Sequence, residues 1–205
     1  VGAGVEFHEP HGVMQIVLGG STTEISVLSL NGIVAARSMR TGGNAMDEAV
    51  VRYLRREKGI VIGVRTAEDL KMDLGSATEP EEDTTVRVKG RSVHTGRPET
   101  IEITNRDIYL ALRAPVDEAE LVDAIKDALA NTPAELAGDL MDKGIHLSGG
   151  GALLSGLNQL LHEATQLPVI TSDLPQDDVA MGLARISAEE RVIARLAATG
   201  ALVEG

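Results

Sequence analysis

The first part of the chain alternates apolar and polar residues with the two-residue period of β-strands. Three such runs cover Val13 to Leu18, Glu24 to Leu30 and Ile33 to Arg40. A glycine-rich stretch, Gly19 to Thr23, separates the first two runs, and the pair Asn31-Gly32 separates the last two. An Asn-Gly pair between apolar runs is a strong hairpin signal. The pattern therefore predicts an antiparallel meander of three strands.

Helical periodicity begins at Asn44, which is the predicted N-cap of a first helix. Asp47 in its first turn favours the positive end of that helix. A second helix is predicted over Thr66 to Leu74, with Thr66 as its cap and Asp69 three residues further on, close to a capping box.

Strand and helix patterns continue to the end of the chain. The further predicted elements are an acidic loop at Ala77 to Asp83, strands at Thr84 to Lys89 and Glu99 to Ile103, helices at Asn105 to Asn131 (broken near Pro115) and Pro133 to Lys143, a strand at Gly144 to Leu147, a helix, a strand at Val169 to Thr171 and a last helix at Asp177 to Ala198. This succession predicts an α/β fold. Residues 63–113 interrupt the pattern, so we expect them to form a small α+β subdomain inserted into a core made of residues 1–62 and 114–205.

The composition narrows the classes of function. The chain has two Tyr, one Phe and no Trp, so it lacks the aromatic platforms that stack single-stranded nucleic acid. Its net charge of -12 repels phosphate backbones and anionic lipid heads, so we expect no nucleic acid partner and no direct membrane contact. The absence of Cys excludes disulfides and thiolate metal sites and fits a cytoplasmic protein.

Two glycine-rich stretches carry candidate chemistry. In Leu18 to Glu24 (LGGSTTE), exposed backbone N–H groups could cradle a phosphate, although glycine-rich hairpin turns are also common without a ligand. In Leu147 to Leu157 (LSGGGALLSGL), a strand runs into three glycines and Ala152-Leu153-Leu154 are predicted to open a helix. A tight strand-to-helix turn without a ligand explains this second stretch equally well.

A third candidate is the helical stretch Arg65 to Lys71. Glu68 and Lys71 stand three residues apart and so share a helix face, where they could meet a ribose and an anion. A surface ion pair between them is the alternative interpretation.

The three stretches together, in this order, resemble the MreB family of bacterial actins. GGSTTEISVLSLNGIV, GVRTAEDLKMDLGSA, RSVHTGRPETIEIT, TPAELAGDLMDKGIHLSGGGALLSGL and LPVITSDLPQDDVAMGLAR all track that family. The resemblance implies an actin-like (ribonuclease H-like) lobe with a mixed sheet flanked by helices, bound ATP and Mg²⁺, and cytoskeletal filaments that govern cell shape. It also implies that the chain holds the second of the family's two lobes, with the first lobe absent.

The resemblance further implies a set of nucleotide-binding residues. Those expected at the β- and γ-phosphates are Gly19, Gly20, Ser21 and Thr22. Those expected at the nucleoside are Glu68, Asp69, Leu70 and Lys71, with Gly149, Gly150, Gly151, Ala152 and Leu153 flanking the adenosine.

The chain departs from the family at positions that matter for hydrolysis. Val17 stands where the family's phosphate loop normally begins with Asp, and Val can neither accept a hydrogen bond nor hold magnesium through water. Ser21 replaces a glycine, Val64 replaces a Glu, and Asn44 stands where an Asp is common. We therefore expect impaired hydrolysis, with no catalytic residue and no protein-bound metal.

Four readings of the function stay open. The first is an assembly protein that self-associates, and the second is an ATPase or small-molecule kinase, which Val17 argues against. The third is a free lobe that docks on or caps filaments of a full-length relative. The fourth is an inactive fragment. The last helix carries apolar residues that need a partner or pack on the chain itself, namely Val179, Leu183, Ile186, Val192, Ile193 and Leu196.

Overall fold

The computed structural model describes residues 2–5, 9–30, 32–116 and 121–188. The strands are β1 (Val13–Leu18), β2 (Thr23–Ser29), β3 (Gly32–Met39), β4 (Ile60–Val61), β5 (Thr85–Ser92), β6 (Pro98–Thr104), β7 (Ile145–Ser148) and β8 (Val169–Thr171). The α-helices are α1 (Gly43–Glu57), α2 (Val64–Leu74), α3 (Asn105–Val116), α4 (Leu121–Ala130), α5 (Ala134–Lys143), α6 (Leu157–Thr165) and α7 (Asp178–Ser187). A short 3₁₀ helix covers Gly150–Leu153.

The first sheet has the strand order β3-β2-β1-β7-β8 among the described residues. The pairs β1–β2 and β2–β3 are antiparallel, whereas β1–β7 and β7–β8 are parallel, so the sheet is mixed. Side chains of β1 and β2 alternate between the core and the other face, as their apolar and polar residues predict. The predicted meander is therefore confirmed, and parallel strands from the end of the chain extend it.

The turn between β2 and β3 lies one residue earlier than predicted. Gly32 already belongs to β3 and pairs with Ser29, while Leu30 takes a left-handed conformation with φ of 49°. Asn31 itself lies outside the described residues. The Asn-Gly pair therefore does not form the centre of the hairpin.

A second sheet, with order β4-β5-β6 among the described strands, packs with α1, α2 and α3 around its own core. Thr104 and Asp107 start α3 with a capping box: Asp107 Oδ2 accepts from Thr104 N at 3.0 Å, and Thr104 Oγ1 accepts from Asp107 N at 3.2 Å. This core includes Met46 and Ile60, which precede the subdomain boundary expected at residue 63. The proposed division at residues 63 and 113 stays a prediction.

Both predicted helix caps were wrong. Helix α1 begins after Gly42 and α2 after Gly63, and neither cap makes a side-chain hydrogen bond. Asn44 and Thr66 therefore lie inside their helices rather than at the caps. At Gly42 the backbone approaches Gly19 and Gly20 too closely for a larger residue, whereas a Cβ on Gly63 would meet no atom within 4 Å.

The later helices agree with the sequence reading in type, and in part in extent. The predicted break near Pro115 stays a prediction, because α3 is described as far as Val116 and α4 from Leu121, and residues 117–120 lie outside the described residues. The last helix is confirmed over α7. The part of that prediction beyond Ala188 lies outside the described residues, including Val192, Ile193 and Leu196.

Candidate functional site

A cavity of about 410 Å³ lies between the turn after β1, the start of α1, helix α2 and the loop after β7. Predicted residues from all three candidate stretches line it, namely Gly19, Gly20, Glu68, Lys71, Gly150, Gly151 and Leu153. These stretches are far apart in the sequence, and the fold brings them to one place.

The glycine turn after β1 packs directly on the first turn of α1. Gly43 N donates to Gly19 O at 3.0 Å, and Asn44 N donates to Gly20 O at 2.7 Å. A Cβ on Gly42 would stand 2.5 Å from Gly19 O, which is closer than any side chain tolerates. Glycine at position 42 is therefore what allows the turn and the helix start to form one wall of the cavity.

Two of the residues predicted at the phosphates lie beside the cavity rather than on its lining. Ser21 and Thr22 are exposed and absent from the lining residues. The Ser21 hydroxyl oxygen accepts a hydrogen bond from Asn44 Nδ2 at 3.2 Å, so Asn44 has a role at this turn that differs from the predicted cap.

Helix α2 contributes a cation to the cavity. Lys71 Nζ lies 2.7 Å from Asp47 Oδ1 and 3.3 Å from the Gly43 carbonyl oxygen. The ion pair of Lys71 is therefore with Asp47 of α1 and not with Glu68, so the alternative of a Glu68–Lys71 surface pair is wrong. Of the other predicted α2 residues, Asp69 is exposed and Leu70 is buried in the second core, and neither lines the cavity.

Asp47 carries an unusual buried oxygen. Its side chain is 4% exposed, and its Oδ1 atom has no hydrogen-bond partner among the described residues despite the close Lys71 ammonium. The contact is thus a charge pair without good hydrogen-bond alignment. Buried carboxylates of this kind are held by their counter-charge, so Lys71 is fixed at the cavity wall.

The loop after β7 forms the opposite wall. Gly149 has φ of 85°, and a Cβ there would stand 2.3 Å from the Leu18 carbonyl oxygen. Gly149 N donates to Pro175 O at 2.7 Å. The glycines therefore let this loop pack against the end of β1.

The loop differs in two ways from its predicted form. The residues Gly150–Leu153 form a 3₁₀ helix, and α6 begins only at Leu157, so the prediction that a helix opens at Ala152 was wrong in type and position. Gly149 and Ala152 are absent from the cavity lining, and Ala152 packs in the first core.

Sequence reading missed several residues that line the cavity. They are Gly43, Asn44, Met46, Asp47, Met72, Asp73, Gly75, Leu154, Ser155 and Gln176. A signal existed for Asp47, because a carboxylate among the apolar positions of a helix is unusual. Gln176 lies in a polar loop sequence that contains no such signal.

A second concave surface lies on the other side of the β1 end. This apolar groove has a volume of about 420 Å³, and α7, β1 and β3 line it. Ile33 is 70% exposed, Leu183 63% and Val179 54%, all at the groove. Val17, which replaces the acid expected from the family, lines this groove and not the cavity.

The groove has a polar base. Asp178 is buried, and its Oδ2 accepts hydrogen bonds from the hydroxyls of Ser148 and Ser172, the latter at 2.5 Å. Ser148 directly precedes the glycine loop. One carboxylate therefore ties the start of α7 to the ends of β7 and β8.

Groups with a shifted pKa lie away from the lining of the cavity. Burial acts to raise the pKa of Asp107, but hydrogen bonds from Lys58 and Thr104 outweigh it and hold that pKa below the ordinary value. Burial and the neighbouring Asp107 raise the pKa of Tyr53. Burial lowers the pKa of His146 on β7.

None of the helices in the described ranges combines the length and apolar character needed to cross a membrane.

Solved structures with the same fold define the class of this protein. MreB5 of Spiroplasma citri bound to ADP superposes with a TM-score of 0.87 at 33% identity, over 94% of this chain and 57% of that chain. The same protein bound to AMPPNP gives a TM-score of 0.87 at 32% identity, over 97% and 58%. The MamK double helical filament matches with a TM-score of 0.71 at 21% identity, which shows the fold alone. The chain has an actin-like fold, and the predicted fold class is confirmed.

Sequence comparison gives the family. The profile of the MreB/Mbl protein family matches residues 1–195, and the chain belongs to this family. It is 39% identical over 182 residues to the cell shape-determining protein Mbl of Bacillus subtilis, covering 89% of this chain and 54% of Mbl. It is 41% identical over 182 residues to the cell shape-determining protein MreB of Escherichia coli, covering 89% and 52%. The chain thus spans about half the length of these curated relatives.

Proposed function

We propose that this chain binds an adenine nucleotide, ATP, in the cavity and takes part in an actin-like cytoskeletal assembly that governs cell shape. The observation that supports this proposal is the meeting of the two glycine stretches and the Glu68–Lys71 segment at one cavity. The similar MreB5 of Spiroplasma citri is described as bound to ADP and to AMPPNP.

The lining has the chemistry that a nucleotide needs. The cavity volume of about 410 Å³ falls in the usual range for small-molecule sites. The Lys71 ammonium and the amino-terminal end of α1 both favour negative charge, so the phosphates belong near Gly19 and Gly20. Glu68 can accept hydrogen bonds from ribose hydroxyls, and the Gly150-Gly151 backbone allows close approach of the nucleoside.

Magnesium fits this site only as a companion of the phosphates. The residues described include no group of three or more His, Cys, Asp or Glu side chains that could hold a metal ion. Asp47, the buried carboxylate nearest the phosphate end, is already paired with Lys71. In this proposal the nucleotide supplies the oxygen ligands, and the protein supplies the cavity.

We further propose that hydrolysis is impaired. Val17 offers no hydrogen-bond acceptor for an attacking water. It also lines the apolar groove, so an acid introduced there would face away from the cavity lining. We expect Val17→Asp alone not to produce ATP turnover in a phosphate-release assay, and measurable turnover in that variant would contradict this part of the proposal.

In this proposal, head-to-tail contacts between chains produce the assembly. An interface between two different surfaces of identical chains produces an open polymer when the successive rotations do not close into a ring. We propose self-association, or association with a full-length relative, in the cytoplasm. Sedimentation at increasing protein concentration, with and without a full-length relative, tests this association. A chain that stays monomeric and does not bind the relative would contradict the proposal.

The first experiment is a calorimetric titration of the purified chain with ATP in the presence of magnesium. A dissociation constant in the micromolar range, equivalent to about -8 kcal/mol, would support the proposed site. Lys71→Met is expected to weaken binding, while Lys143→Met, a surface change distant from the cavity lining, serves as control. Absence of ATP binding by the unaltered chain would overturn the nucleotide proposal.

The apolar groove favours a second candidate function, that of a docking module on a full-length relative. The groove exposes an apolar surface formed by Ile33, Val179 and Leu183, and its contact with water is unfavourable. A relative of the same family is the proposed partner. A pull-down with purified full-length relative tests this function, and an interaction that survives Leu183→Glu would exclude the groove as its docking site.

A further inference from the structure

Gln176 is a polar residue of the cavity wall whose side chain has no hydrogen-bond partner among the described residues. Its side chain lines the cavity, and its Nε2 atom lies 3.6 Å from the point where a Cβ on Gly150 would stand. The residue is exposed, and no hydrogen bond joins its amide to another part of the described chain. The whole carboxamide, a donor and an acceptor, is therefore available to a ligand.

The backbone around Gln176 is held on both sides. On one side, the buried Pro175 accepts a hydrogen bond from Gly149 N at 2.7 Å. On the other side, Asp178 accepts hydrogen bonds from the hydroxyls of Ser148 and Ser172. A side chain that stands on a fixed backbone above a fixed glycine loop can discriminate between ligands.

Apolar side chains line the same cavity. Met72 is 65% exposed and Leu153 58% exposed, although both are large and apolar. Met72 follows Lys71 by about 100° around α2, so its apolar surface lies beside the ammonium group and not beneath it. A flat heteroaromatic ring can pack on this surface while its polar edge meets a carboxamide.

We propose that Gln176 determines which base the cavity accepts and favours adenine over guanine. This inference rests on the proposed nucleotide site. Adenine presents its N6 amino donor beside the N7 acceptor, and a carboxamide matches both with two hydrogen bonds. Guanine presents two acceptors, O6 and N7, at the same edge. The carbonyl oxygen of Gln176 then faces another acceptor, and one of the two bonds is lost.

The test compares ATP and GTP binding in the unaltered chain and in Gln176→Leu, by calorimetry with magnesium present. Leu keeps apolar bulk at the site but removes both polar atoms. Because Gln176 is exposed, its two-bond match contributes at the low end for such a match, so we expect the ATP:GTP affinity ratio to fall about tenfold. Gln159→Leu, on the exposed face of α6 and outside the cavity lining, should leave the ratio unchanged.

The outcomes separate the two proposals. ATP binding with a ratio that falls in Gln176→Leu but not in Gln159→Leu supports the role of Gln176. ATP binding with an unchanged ratio in both variants overturns that role and leaves the nucleotide site standing. Failure of the unaltered chain to bind either nucleotide overturns both. Far-ultraviolet circular dichroism of each variant confirms that the fold is retained.

Discussion

The cavity and the groove are nearly equal in volume, about 410 and 420 Å³, and differ in every other respect. They meet at the end of β1, where Val17 lines the groove and Gly19 lines the cavity. The cavity combines glycine backbone and a charge pair with a few apolar side chains, and the groove is built mainly from aliphatic side chains above one buried carboxylate. In our proposals, Val17 of β1 lines the surface for an apolar partner, and Gly19, directly after the strand, lines the site for a nucleotide.

This difference affects how substitutions act. Some cavity residues, such as Asp47, are buried and paired, so changing them should alter the stability of the fold as well as ligand binding. The apolar groove residues Ile33, Val179 and Leu183 are exposed, so changing them should alter association and leave stability almost unchanged.

The largest effect is expected at the charge pair of the cavity. Asp47→Asn leaves the Lys71 ammonium, on a side chain 15% exposed, without its counter-charge, and loss of one partner of a buried pair costs about 3 kcal/mol. Urea unfolding measures the change. The neighbouring Glu48→Gln, at a side chain 65% exposed, should cost less than about 0.5 kcal/mol. The double variant Asp47→Asn/Lys71→Met should recover part of the loss, and equal effects at positions 47 and 48 would contradict the buried pair.

The glycine loop offers the second comparison, with a control one residue away. Gly149→Ala forces a side chain into a left-handed backbone and against the Leu18 carbonyl oxygen, and we expect a loss of about 2 kcal/mol. Gly150→Ala should be nearly neutral, because the nearest atom to its Cβ is 3.6 Å away. Denaturant unfolding of both variants checks this order, and a larger loss at position 150 would show that the loop is packed differently.

A third prediction uses a site away from both concave surfaces. Because hydrogen bonds hold the pKa of Asp107 below its ordinary value, its charged form stabilises the fold above the unfolded pKa, and this contribution is lost as the pH falls through the folded pKa. Asp107→Asn should cost about 1 kcal/mol at pH 7, the usual value of a helix-start interaction. Unfolding measured at pH 7 and near pH 3 should show the difference between variant and unaltered chain shrinking in acid. A difference that is independent of pH would exclude the charge as its cause.

The smallest effect on stability is expected in the groove. Leu183→Ser changes a residue that is 63% exposed, so its free energy of unfolding should shift by less than about 0.5 kcal/mol. If the groove docks a partner, the same variant should lose that association in sedimentation, whereas Leu110→Ser, at 42% exposure on α3, should retain it. A large loss of stability in Leu183→Ser would mean that the groove belongs to the core.

The sequence predicts the elements and the site where the signal is local. Strand β1 has the predicted bounds because its alternation and the following glycines are consecutive in sequence. The glycine stretches and Lys71 were found for the same reason. Asp47, Gln176 and Met72 were missed because their roles depend on which segments meet in space. The predicted cap at Asn44 failed because close backbone contacts at Gly42 override the usual side-chain preference. The cap of α2 is Gly63, three residues before the predicted Thr66, and no close contact at Gly63 explains this shift.

Leu154 packs against both hydrophobic cores, as do Ala77 and Leu160, and it also lines the cavity. The cavity therefore lies at the boundary between the two hydrophobic cores. Two such cores can unfold at different temperatures when the chain is heated. A ligand that touches Gly19 on one side and Met72 on the other joins them, because it binds only when both are folded. The heat-capacity trace of the chain should then change from two overlapping transitions to a single one, which makes the cooperativity of melting a measure of occupancy.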